Sequence, residues 1–82
     1  MRFVELSEVL TDNGFEFHTV ADKGSKYGCS WYVELDKNNM LSIYINEDCN
    51  AVITFNERTV SCDYYRQVID VLNFAKACLS IN

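Results

Sequence analysis

Eighty-two residues leave room for one domain with a modest core. Twelve Asp and Glu against seven Lys and Arg give a formal charge of −5, and the bases are scattered, which excludes the basic stripe of a direct nucleic-acid binder. A hydrophobic content of 49%, with five Phe, five Tyr and Trp31, excludes a disordered chain.

Glu5 and Glu8 interrupt the apolar run that a signal peptide needs, and the longest charge-free stretch, Asn38 to Asn46, is far too short to span a membrane. The expectation is a cytoplasmic protein with no membrane segment. In that compartment Cys29, Cys49, Cys62 and Cys78 are expected as thiols. No two of them lie closer than 13 positions, so the close ligand pairs of a zinc site are missing. No metal or cofactor is expected.

The first predicted element is a helix from Arg2 to Asn13. Phe3, Leu6, Val9 and Leu10 recur on one stripe, and Asn13-Gly14 supplies its stop. Phe15 to Ala21 alternates as a strand, with Phe15 and Phe17 inward and Glu16, His18 and Val20 outward. Asp22 to Gly28 is a loop. Cys29 to Leu35 is the clearest strand, with Cys29, Trp31, Val33 and Leu35 inward. Met40 to Asn46 alternates again, with Leu41, Ile43 and Ile45 inward. A three-residue loop at Lys37 to Asn39 would set Leu35 opposite Leu41, Val33 opposite Ile43 and Trp31 opposite Ile45. The same register sets Tyr32 opposite Tyr44 on the outer face.

Ala51 to Phe55 is the fourth strand, with Ala51, Ile53 and Phe55 inward. Asn56 to Val60 reads as connecting chain, with a short extra strand at Thr59-Val60 as the alternative. The last element is a helix from Cys62 to Leu79, with Ser61 as its N-cap and Asp63 facing its dipole. Its apolar arc covers half the cylinder, and Phe74 and Ile81 project from the polar side. The arc is wide enough to take the first helix, another chain, or both. The predicted class is α+β: a two-layer, four-stranded antiparallel meander with two helices on one face, in the order α-β-β-β-β-α.

No catalytic motif stands out. There is no G-x-S-x-G elbow, no G-K-[ST] phosphate loop and no H-E-x-x-H. Gly24-Ser25-Lys26-Tyr27-Gly28 lacks the lysine spacing of a phosphate loop and reads as a turn. His18 is the one histidine, on an outward position facing Tyr32 or Glu34. Cys62, at the expected helix start, is the thiol that a dipole would activate. A small-molecule-binding or thiol-active role through Cys62 or His18 is one alternative, and a small structural homodimer is another.

Recognition of a protein partner fits better. The candidate surface is the open sheet face with His18, Tyr32, Tyr44, Val52 and Thr54, together with Phe74 on the last helix. Tyr is enriched at interfaces. Strand four carries no charge to block pairing, so either Thr59-Val60 or another chain covers its edge.

The helix–sheet–helix order is shared with double-stranded RNA-binding domains. That family has a lysine-rich start to its last helix, and here the start reads Ser61-Cys62-Asp63-Tyr64. In size, acidity and layout the whole chain resembles small phage-encoded inhibitors, including anti-CRISPR proteins, and bacterial immunity proteins. The resemblance includes no motif. It implies a non-enzymatic protein that works by stoichiometric binding to a larger, often basic, target.

Overall fold

The computed structural model describes residues 1–80. In chain order the elements are α1 (Phe3–Asp12), β1 (Phe17–Ala21), β2 (Cys29–Glu34), β3 (Met40–Ile45), β4 (Ala51–Phe55), β5 (Arg58–Cys62) and α2 (Tyr65–Ser80). The strands form one sheet in the order β1-β2-β3-β4-β5, each antiparallel to the next. The α+β class and the antiparallel meander agree with the sequence reading. The strand count does not: the described residues form five strands, not four.

The fifth strand was hidden by its turn. Asn56 and Glu57 have φ of 50° and 66°, the double positive φ of a two-residue primed hairpin turn. Asn tolerates that conformation, but Glu is sterically penalised in it. The glycine that usually announces such a hairpin is absent here. Glu57→Gly should therefore relieve strain and raise stability by roughly 0.5–1 kcal/mol, read as a higher urea midpoint at unchanged slope.

Pairing of β5 with β4 also corrects the start of the last helix. Ala51 faces Cys62 and Val52 faces Ser61, so Ser61 and Cys62 are strand residues and Ser61 is no N-cap. The helix start is set by Gln67 instead. Its side-chain carbonyl accepts the backbone N–H groups of Asp63 at 2.8 Å and Tyr64 at 3.0 Å, which would otherwise lack partners. Asp63 precedes the helix, whose first turn holds no acid. Ile81, read as projecting from this helix, lies outside the described residues.

The expected β2–β3 register is displaced by two residues. Trp31 faces Ile43, Val33 faces Leu41 and Tyr32 faces Ser42 rather than Tyr44. The connecting loop is wider than three residues. Leu35 N–H donates to the Asn39 carbonyl at 2.9 Å. Asp36 Oδ1 accepts the Asn38 and Asn39 backbone amides at 2.8 and 2.9 Å, and both of its oxygens accept the Asn39 side-chain amide. Side chains alternate with period two, so a shift of two keeps every residue on its predicted face. The apolar pattern alone could not separate the two registers.

Both helices pack on the inward face of the sheet. Leu6 and Leu10 of α1 and Val68, Leu72 and Ala75 of α2 join Trp31, Val33, Leu41, Ile43, Ile45 and Ile53 in one core. Leu6 and Leu10 fall one turn apart, as the stripe required. Gly14, at φ 80°, ends α1, and Phe15 N–H returns to the Leu10 carbonyl at 3.0 Å. Phe15 is buried just before β1 rather than in it. Tyr65 ties the two helix starts together. Its hydroxyl accepts Arg2 N–H at 3.0 Å and donates to Glu5 Oε2 at 2.7 Å.

Two loop carboxylates hold turns together by accepting hydrogen bonds. Ser30 hydroxyl, then the Gly24 amide, hold Asp22 below the usual carboxylate pKa. The Asn38 amide, then the Asn39 side chain, do the same for Asp36. A depressed folded-state pKa stabilises the fold above the unfolded carboxylate value, and that stability is lost as pH falls through the folded value. Urea midpoints should therefore drop as pH falls from about 5 to about 2, and the drop should be shallower in Asp22→Asn and Asp36→Asn.

Candidate functional site

The outward face of the sheet is built by alternation. His18 lies opposite Tyr32, Tyr32 opposite Ser42, and Ser42 opposite Thr54, giving one row across four strands. Tyr44 lies opposite Val52, which in turn faces Ser61. His18 stacks on Tyr32 with ring centroids 5.6 Å apart. The structure therefore brings together five of the six predicted site residues, though not as a Tyr32–Tyr44 cross-strand pair. Val52 is only 8% exposed and offers little to a partner. Tyr32, Ser42, Tyr44 and Thr54 are half-buried. The row is mostly hydroxyl-bearing, and a polar-lined hollow opens at its His18 end.

Phe74 is not part of this face. It sits on the opposite layer, 71% exposed, on the flank of α2. Residues at 71, 74, 75 and 78 share a stripe. With Val60, Ile53 and Leu41 from the sheet they line an apolar groove of about 500 Å³, rimmed by Asn56 and Arg58. The wide apolar arc of α2 is thus divided. Its centre is in the core, and one flank meets α1 beside Val9, Tyr65 and Ile69. The other flank faces the groove. Sequence reasoning missed Val60 and Arg58 as site residues because it took 56–60 for connecting chain. The i, i+4 pair Phe74–Cys78 was the available signal.

The groove runs beside an open edge. β5 ends the sheet order, and among the described residues no strand lies on its far side. Arg58 is the one charge within it, and Val60 is 43% exposed. An added strand along β5 would meet unpaired backbone donors and acceptors and could place side chains into the groove.

The residues considered for chemistry are placed apart. Cys62 ends β5 and is 2% exposed; burial, with Asp63 nearby, pushes its thiol pKa up. The helix-start activation weighed for it as an alternative is not available, because the helix begins three residues later. Gly24 to Gly28 forms a turn between strands, with Gly28 at φ 78°. Among the described residues no group of three His, Cys, Asp or Glu could hold a metal ion. No described helix is long and apolar enough to cross a membrane. Compared with family models, curated proteins and solved structures, the chain matches none of them.

Proposed function

We propose that this chain is a non-enzymatic protein-binding domain, a stoichiometric inhibitor or accessory factor for a larger, basic protein. One observation carries the reading. An apolar groove between α2 and the β4–β5 hairpin lies alongside an unpaired strand edge, with Phe74 and Val60 exposed at its lips. Large apolar side chains held in the open around a concavity are the usual anchors of a protein interface. The resemblance to phage-encoded inhibitors and immunity proteins points the same way. The net charge of −5 favours a basic partner and speeds its encounter.

The groove is preferred to the outward sheet face as the centre of the interface. The outward row offers half-buried hydroxyls, whereas the groove offers an apolar concavity and main-chain pairing together. His18, Tyr32, Tyr44 and Thr54 then form a second, weaker surface. A homodimer through β5 is the alternative use of the same edge, and light scattering separates the two: the binding-domain reading expects a monomer at high concentration.

The test is affinity capture from host lysate with wild-type protein and Phe74→Asp side by side. The expected result is a partner retained at one-to-one stoichiometry by wild type and lost by the variant. Capture of nothing, with turnover of a small molecule, would overturn the reading.

A further inference from the structure

The β1–β2 loop and the β3–β4 turn meet at one end of the sheet, away from the groove. There Lys26 Nζ donates to the Cys49 sulfur across 2.6 Å. This is closer than the roughly 2.7–3.2 Å that an N–H donor keeps even from the smaller oxygen acceptor. Both residues are braced separately. Lys26 N–H donates to the Ile45 carbonyl at 2.7 Å, and Cys49 N–H donates to the Asn46 carbonyl at 3.0 Å. Asn46 Oδ1 accepts the Asp48 and Asn50 amides, each at 3.0 Å. Cys49 is thereby held at φ 64°, a left-handed conformation that disfavours a side chain.

The electrostatics fit the geometry. The hydrogen bond from Lys26, and then its charge, hold the Cys49 thiol below its ordinary pKa, against the opposing pulls of desolvation and Asp48. The sulfur in turn raises Lys26. Cys49 is half-exposed and Lys26 exposed, so small oxidants can reach the pair. Two of the other thiols differ. Cys62 is buried, and the Cys29 thiol donates to the Tyr27 carbonyl at 3.9 Å rather than facing a lysine.

We propose that Lys26 and Cys49 form an oxidative modification site at which a hydroperoxide drives a covalent sulfur–nitrogen link between the two side chains. In the first step the Cys49 thiolate attacks one peroxide oxygen. An S–O bond forms and the O–O bond breaks. For hydrogen peroxide, the departing hydroxide takes a proton from the Lys26 ammonium and leaves as water. Sulfur is oxidised by two electrons and peroxide is reduced by two. The products are a sulfenic acid and a neutral amine in contact.

In the second step the amine lone pair attacks the sulfenyl sulfur. The S–N bond forms, the S–OH bond breaks, and hydroxide leaves with an N–H proton as water. Sulfenic acids condense with a backbone nitrogen in this way, and here the Lys26 amine stands no farther from the sulfur than the roughly 3–3.5 Å of a near-attack contact. The link would join the β1–β2 loop covalently to the β3–β4 turn.

The experiment treats the whole native protein with dilute hydrogen peroxide and reads intact mass and non-reduced peptide maps. The expected product has lost two hydrogens, about 2 Da, with no oxygen retained. Tryptic cleavage after Lys26 is blocked, one cross-linked peptide carries both residues, and thiol reductant reverses the change. Cys49 reacts at least about tenfold faster than Cys29. Lys26→Arg keeps the positive charge but cannot form the link, so the mass loss should vanish there and in Cys49→Ser. A mass loss that persists in Lys26→Arg, a link that retains oxygen, or Cys49 oxidised only to unlinked oxygen adducts would overturn the proposal. So would oxidation of Cys29 ahead of Cys49.

Discussion

Replacing Trp31 by alanine will destabilise the domain by about 3–5 kcal/mol, the range for removing a buried large aromatic. Trp31 is fully buried on β2, opposite Ile43 and Thr19. Phe3 of α1 lies over its ring with centroids 4.7 Å apart. Its indole N–H donates to Ser7 Oγ at 3.0 Å, so it binds α1 by a directed contact as well as by packing. Truncation opens a cavity between α1 and the sheet and leaves Ser7 without its partner. A domain of this length has a total stability of roughly 4–12 kcal/mol, so the variant should be largely unfolded or close to it. Ser7→Ala separates the two contributions. It removes only the hydrogen bond and should cost about 1 kcal/mol. Urea denaturation of the three proteins checks both magnitudes, and a Trp31→Ala loss below about 1.5 kcal/mol would contradict this packing.

Phe74→Asp should weaken partner binding by at least about 30-fold, the effect of losing one interface anchor of 2 kcal/mol or more. Stability should change by no more than about 0.5 kcal/mol, because the ring is mostly exposed in the unbound protein. The substitution places a charge at the lip of the apolar groove, where a partner would have to desolvate it. Val60→Lys acts on the same surface from the sheet side. It adds the edge-strand charge by which natural sheets block strand addition. If the partner pairs with β5, this variant should also lose at least about tenfold in affinity, measured by titration calorimetry. Tyr32→Ala on the outward face should leave binding within about threefold of wild type. Unchanged binding in both groove variants, with loss in Tyr32→Ala, would move the interface to the outward face.

Much of the fold was legible because alternation and helical spacing are local. Met40 to Ile45 alternates without interruption, Cys29 to Glu34 does so except at buried Ser30, and Leu6 and Leu10 mark the buried stripe of α1. The errors arose where tertiary pairing outweighed local pattern. Cys62 and its neighbours satisfy a helix start by type, but their backbone groups pair with β4 and Cys62 is buried opposite Ala51. Glu57 at positive φ hid a hairpin because its residue type argues against the turn it occupies. The β2–β3 register was underdetermined, since two registers two residues apart bury the same side chains. The candidate site was read in part. Phe74 was visible as an apolar residue on a polar flank, but its groove depends on β5, which the sequence did not declare. The contact of Lys26 with Cys49 joins two loops 23 positions apart and follows no periodicity.

The central claim is that recognition runs through the β5 edge and the groove beside it. Amide hydrogen exchange of the protein, alone and with its captured partner, tests this most directly. Exchange should slow on binding at residues 58–62 and along α2 from Val71 to Cys78, with residues 18–20 and 30–34 unchanged. Slowed exchange across residues 18–20 and 30–34, with 58–62 unaffected, would contradict it.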